Sequence, residues 1–431
     1  MFYPIKLEES AITPIEEELL HNQDISLTSP GTILKDFQML LDFIGTEGIE
    51  VSKTQNFLPM KSLQELNTRL THPIQIDLKR PQQKAYPHLH GLYLLLRAST
   101  ITTIEPKGKK FFLHLEPKVL ESWNQLNFTE RYFNLLEAWW IWGNEEILGE
   151  KGWRSGFHKC LMFWYELDSK KSLIPKGEEL KWYSYSPGLY QIALLSMFGL
   201  LSVKNGKPKK GQGWHFTQLK KTPWGNALVK LIKNTMSAQF QEETDSQNLD
   251  TEEEKEHPFG IWQPQLQPIF PKWQQNLTIP EPELQPGVYI FKVSLGKIWR
   301  RIAIPSHYSL YDLSNIILES VNFDNDHLHE FSYKSRYGWT VRVNHPNCNE
   351  EPFSDDFEIS DLSLSLKPGQ SMTYLFDFGD NWKFNVQLAD ISPDNSEIVK
   401  PTILDTHGSA PSQYPSWDDE DEEDEEDCMG S

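Results

Sequence analysis

An α+β chain is expected from this sequence: a mainly helical first half, then a compact domain of two strands, a helix and further strands. Three observations carry that expectation. Apolar residues recur at helical spacing through the first half, and alternating strand text dominates after residue 284. Between them lies QEETDSQNLDTEEEKEHP, a run without aromatics, β-branched clusters or periodicity, which reads as a solvated linker. A chain of 431 residues exceeds what one core usually organises. The expected division is 1–29, an N-terminal segment; 30–240, the helical region; 241–283, an acidic and Pro-rich linker; 284–417, the second domain; and 418–431, a disordered acidic tail.

In the helical region, Thr32–Ile44 places Ile33, Phe37, Leu40, Leu41 and Ile44 on one face, and a second helix is expected over Met60–Leu70. The run Glu130–Ile147 reads as a buried helix, with Trp139, Trp140 and Trp142 as core rather than a ligand box. One pattern occurs twice, first over Gly91–Pro117 and again over Gly188–Ile232. Each copy opens with Gly-Leu-Tyr and an apolar helix, followed by strand text, a basic Gly-containing turn and strand text again. The second copy ends in a helix opening at Thr222-Pro223, where Thr caps and Pro suits the first turn. Helix, strand, basic turn, strand resembles the winged-helix class, so the first half is expected to contain winged-helix-like modules.

The net charge of −20 speaks against nucleic acid only until its distribution is considered. Ten consecutive acids, Asp418–Asp427, and eight more against one lysine in 241–257 supply −17 of it. From Lys170 to Lys233 the chain carries twelve lysines and two acids, a local +10. Lys204, Lys207, Lys209 and Lys210 fall in or beside the second turn, Trp214 and His215 follow directly, and Lys220 and Lys221 close the segment. A lysine-rich turn with aromatics beside it suits phosphate contact and base stacking, so DNA or RNA is the expected partner. With no arginine in this stretch, bidentate guanine reading is not expected. The bland alternatives are a solvated face or a dock for the chain's own acidic segments.

In the second domain, Gly287–Leu295 and Lys297–Pro305 read as strands joined at Gly296. Ser309–Val321 reads as an amphipathic helix with Leu310, Leu313, Ile316, Ile317 and Val321 on one face. Strands follow at His329–Ser335, Gly338–Val343, Ser371–Phe378 and Trp382–Leu388, a β-grasp or roll-like arrangement. Five landmarks then occur in order: Tyr289–Val293; Trp299, Arg300 and Arg301 before Pro305; the helix leucines; Asp326, His327, His329 and Phe331; and Tyr374, Asp377, Gly379, Asp380 and Trp382. They are followed by Gly408–Pro415. This text resembles the plasmid pRiA ORF-three-like family. The resemblance implies a setting near mobile elements but no reaction.

Candidate chemistry in these motifs is sparse. His327 and His329, two apart, would project from one strand face and form a divalent-metal pair, with Asp326, Glu330, Asp377 and Asp380 as further ligands. The structural alternative makes His329 a core histidine, Trp299 and Trp382 core aromatics, and Arg300 an ion-pair partner of Asp377 or Asp380. Asp377-Phe378-Gly379 is a hairpin signal, since the chain has neither a Gly-rich phosphate loop nor a catalytic-loop motif. Cys160, in apolar text, reads as buried, and no nucleophile elbow is present. The expectation is a cytoplasmic protein without a membrane partner whose role is binding rather than catalysis. A metal-dependent role for the His327/His329 cluster and a protein-interaction role, with the acidic tail engaging a basic partner, stand as alternatives.

Overall fold

The computed structural model describes residues 11–108, 110–150, 156–175, 179–245, 259–281, 283–393 and 397–414. The acidic tail at 418–431 and most of the acidic run lie outside them. The chain forms two compact units, Met1–Pro280 and Glu281–Ser431. Helices dominate the first and an antiparallel sheet the second, an α+β architecture. Among the described residues no helix is long and apolar enough to cross a membrane.

In the first unit, α1 (Pro14–Asn22) opens with a capping box between Thr13 and Glu16. It is followed by α2 (Ile33–Ile44), β1 (Ile49–Val51), α3 (Met60–Arg69), α4 (Pro87–Ala98), β2 (Thr102–Lys107) and β3 (Lys110–Leu115), the strands pairing antiparallel in the order β1-β3-β2. Next come α5 (Pro117–Gln125) and α6 (Phe128–Trp140), and then a second passage of similar layout. It comprises α7 (Gly156–Glu166), α8 (Glu179–Trp182), α9 (Leu189–Met197), the hairpin β4 (Leu201–Asn205) and β5 (Phe216–Lys221), and α10 (Pro223–Asp245). Leu173 bridges to Leu219 of β5 much as β1 pairs with β3. Thr222 caps α10 by accepting from the Gly225 N–H at 2.9 Å, as its Thr-Pro start predicts.

The two Gly-Leu-Tyr triplets are out of register in this repeat. Eleven residues lead from Gly91 to the start of β2 at Thr102, and thirteen from Gly188 to the start of β4 at Leu201. The corner between helix and strand keeps step instead. Thr100 (φ 56°) and Gly199 (φ 75°) each turn the backbone left-handed two residues before the strand begins. The helices α4 and α9 pack on each other, and a Cβ at Gly91 would stand 2.7 Å from Leu194 Cγ. Every residue of α4 is buried.

The Pro-rich text after the acidic run, expected as part of a linker, is folded into the first unit. It forms a strap on α6, with Phe259, Trp262, Leu266 of the short α11 (Gln263–Leu266), Phe270, Trp273 and Leu277 buried in the first unit's core. Three side chains one helical turn apart on α6 hold it. Glu137 accepts from the N–H groups of Gly260 (2.6 Å) and Trp262 (2.9 Å), Glu130 from Gln274 and Gln275 (3.0 and 2.8 Å), and Asn134 from Leu277 (2.8 Å). Trp273 stacks on Phe133 at 4.5 Å. Apolar anchors thus override the linker reading that proline suggests. Burial pushes the Glu137 carboxyl up to about 7, although its two backbone donors favour the charged form.

The second unit is a seven-stranded sheet of order β12-β7-β6-β11-β10-β8-β9, antiparallel throughout. Its strands are β6 (Val288–Leu295), β7 (Ile298–Pro305), β8 (His329–Lys334), β9 (Thr340–Asn344), β10 (Ser371–Phe376), β11 (Trp382–Ser392) and β12 (Thr402–His407). Gly296 (φ 56°) makes the first hairpin turn. Between β7 and β8 runs α12 (Leu310–Ser320), opened by a capping box between Ser309 and Asp312. Its Leu310, Leu313 and Ile317 cover Tyr289, Phe291, Ile304, Phe331, Tyr374 and Phe384 on one sheet face. Burying such a side chain contributes about 1.5–3 kcal/mol. Strand β12 is the one not anticipated: Thr402–His407 lies on an edge, half-buried to exposed, so it carries no alternation to read.

Candidate functional site

The β4–β5 hairpin presents most of the lysines singled out in the sequence. Lys204, Lys207, Lys209, Lys210 and Lys220 are exposed. None has a carboxylate within ion-pair distance among the described residues. The loop is closed at its base by the Gly206 N–H donating to the His215 carbonyl at 2.9 Å, and the His215 ring occupies the space a side chain at Gly206 would need. At the tip, Gly211 (φ 73°) donates to the Asp77 carbonyl at 2.8 Å while Asp77 donates to Gln212 at 3.2 Å. This docking brings in a remote loop whose exposed Lys79 and Arg80 follow within three residues of Asp77. Sequence reasoning missed both, because nothing local in DLKRP indicates which turn it meets.

Two predicted members leave the surface. Trp214 is buried: its Nε1–H donates to Asn205 Oδ1 at 2.9 Å, and its ring sits edge-on to His88 (5.1 Å) and tilted against Phe216 (5.5 Å). It roots the loop and offers no face to a base. Lys221 is also buried, its Nζ lying 4.9 Å from the centre of the Trp164 ring, where desolvation lowers its pKa. Because α4 and α9 bury against each other, neither presents a face for a duplex groove.

In the second unit the histidine pair is not brought together as ligands. His329 is fully buried, with Nδ1 3.2 Å from Ser314 Oγ and Nε2 2.8 Å from Ser354 Oγ, while Ser314 Oγ lies 2.6 Å from the Tyr374 hydroxyl. Burial and the neighbouring His345, at 4.8 Å ring to ring, hold its pKa down to about 3, so the ring is neutral. His327 precedes β8, is exposed, and lies 3.4 Å from Asp377 and 3.9 Å from Asp326. The metal reading required both on one strand face. Among the described residues no group of three His, Cys, Asp or Glu side chains is placed to hold a metal ion.

The remaining family-motif residues shape the fold. Asp377 (φ 54°) accepts from the Gly379 N–H at 2.8 Å and ties the β10–β11 turn, with Asp380 exposed beside it. Phe331 and Tyr374 are core. Arg300 pairs with neither Asp377 nor Asp380 but donates to the carbonyls of Ser320 (2.7 Å), Trp299 and His407 (both 2.9 Å), fastening β12 to β7 and the end of α12. Trp299 is half-buried on the opposite sheet face, stacked on His407 at 5.7 Å with Lys292 above its ring, and Arg301 is exposed. Trp382, half-buried, packs edge-on to Phe323 at 4.9 Å. Tyr414 donates to Asp326, which lowers the carboxyl's pKa and raises the phenol's to about 12.

Residues 288–413, nearly the whole described second unit, match the family model described as plasmid pRiA4b ORF-3-like protein. A solved structure of a protein of unknown function from Methanosarcina mazei Go1 is similar at 27% identity, covering 30% of this chain and 74% of that chain with a TM-score of 0.27. Comparison with curated proteins gives no match.

Proposed function

We propose that the first unit is a tandem of winged-helix-type modules that binds nucleic acid, chiefly by the phosphate backbone, through the β4–β5 loop. The order α2-β1-α3-α4-β2-β3 and its partial repeat from α7 to β5 support the modular reading. The observation that carries the binding reading is the loop itself: five exposed lysines on one hairpin, without an ion-pair partner among the described residues, extended by Lys79 and Arg80. Such a patch gains by releasing the counterions of a polyanion, a gain that shrinks as salt rises. The plasmid-associated family of the second unit is consistent with a nucleic-acid setting.

Fluorescence polarisation with labelled DNA and RNA at about 50 and 200 mM salt tests the reading. Binding should weaken steeply with salt. The triple change Lys207→Glu, Lys209→Glu, Lys210→Glu should cost at least about tenfold in affinity and flatten the salt slope by about three. Binding indifferent to salt, or unchanged in the triple variant, refutes it.

A further inference from the structure

We infer that the nucleic acid taken by this surface is single-stranded, with Trp182 and Tyr185 as platforms for unpaired bases; this rests on the proposed phosphate-binding role of the hairpin. The two side chains are 62% and 76% exposed, the most exposed aromatics among the described residues. They stand three residues apart on one ordered turn. The Tyr185 and Ser186 N–H groups both donate to the Trp182 carbonyl (2.9 and 3.0 Å), and the Gly188 N–H donates to that of Tyr183 at 3.2 Å.

That turn is fixed to the basic hairpin. Tyr183, between the two exposed rings, packs against Phe163 (5.5 Å) and against Phe216 at the start of β5 (6.0 Å). Phe216 in turn contacts Trp214, the root of the lysine loop. On the same hairpin, Leu173 and Leu219 exchange backbone hydrogen bonds of 2.8 and 2.9 Å, which sets exposed Lys170 and Lys171 just before the point where the chain joins β5.

Water is a poor environment for an indole and a phenol ring held this openly, and through Tyr183 and Phe216 their turn is packed onto the hairpin that carries the lysines, with the carboxylates of Glu166 and Glu179 also near Tyr183. Bases offer flat π faces at the spacing of a charged backbone, which complements both features at once. A duplex conceals those faces. The helices that would enter a duplex groove, α4 and α9, are spent on each other. An acidic protein partner would satisfy the lysines but has no comparable use for two solvated rings.

The test uses the full chain and three labelled oligonucleotides of one mixed sequence: single-stranded DNA, the matching RNA, and the DNA duplex. Stacking on one ring is worth about 5- to 150-fold in affinity. Single strands should therefore bind at least about tenfold tighter than duplex at equal salt. Trp182→Ala with Tyr185→Ala should lose about tenfold or more on single strands and little on duplex, with thermal unfolding unchanged because neither ring is buried. Trp182→Phe with Tyr185→Phe should restore most of the loss, which a merely structural role would not require. Equal affinity for duplex and single strand, or an alanine pair that binds single strands normally, overturns the inference while salt-sensitive, lysine-dependent binding leaves the hairpin reading intact. In that outcome the aromatic turn belongs to a protein partner. If the wild-type chain binds none of the three, both readings fall.

Discussion

Replacing Glu137 by Gln should make the first unit more stable at alkaline pH. The carboxyl is fully buried on α6, and burial raises its pKa from 4.5 to about 7. A group whose folded pKa is raised contributes stability that is complete below its unfolded pKa and is lost as pH rises through the folded value. Between pH 4.5 and 7 the wild type therefore gives up about 3 kcal/mol on this account, at about 1.4 kcal/mol per pH unit. Glutamine mimics the protonated form. It keeps one carbonyl for Gly260 or Trp262 but sets an amide N–H against the other donor, where the acid's hydroxyl oxygen can still accept, a mismatch costing about 1 kcal/mol. At pH 5 the variant should lie within about 1 kcal/mol of wild type, and at pH 8 it should be more stable by up to about 2 kcal/mol. Guanidinium denaturation followed by tryptophan fluorescence would report this, since Trp262 and Trp273 both sit in the strap. The buried histidines His88 and His90 titrate in both proteins and cancel from the difference. A variant destabilised equally at pH 5 and pH 8 would show that the two backbone donors outweigh desolvation, and the reasoning would fail.

Other outcomes follow from the second unit and from the basic surface. His329→Ala should cost about 3 kcal/mol, from a cavity and from serine hydroxyls left short of a partner, measured by denaturation at pH 7.5. Because folding depresses that histidine's pKa from 6.5 to about 3, its contribution is complete above pH 6.5 and erodes as pH falls. Wild type should thus lose about 2 kcal/mol more than the variant between pH 7.5 and 5, and parallel pH profiles would contradict the assignment. The lysine triple variant and the Trp182/Tyr185 pair should separate on polarisation titrations, the first losing all nucleic-acid classes and the second single strands alone.

What could be read in advance was whatever is written locally. The spacing of Leu310, Leu313 and Ile317 marks α12, and Ser309 with Asp312 marks where it starts. The alternation in β6, β7, β10 and β11 likewise specifies strands before any partner is known. The strap reads as linker because its prolines carry no helical or strand periodicity, while the seats for Trp262 and Trp273 lie more than 120 residues back on α6. Trp214 looked like a stacking residue since its neighbours are basic, yet its pocket is built by His88 and Asn205. Lys79 and Arg80 join the lysine loop through Asp77, a contact with no counterpart in local pattern. Likewise the His327/His329 spacing predicts one face only if both belong to the strand, and the strand begins at the second of them.

The strap also changes what the acidic run connects. Its upstream flank, α10, buries Val229 and Ile232, and its downstream flank buries Phe259 and Trp262, all in the same hydrophobic core. The described segments on either side of residues 246–258 are therefore anchored in one folded body. Proteolytic cleavage between these two flanks should leave fragments that still migrate together under native conditions, because both are anchored in one core. The negative charge written in 246–258 is tethered at both ends to the unit that carries the lysines, and it would stay there if the sheet unit were removed.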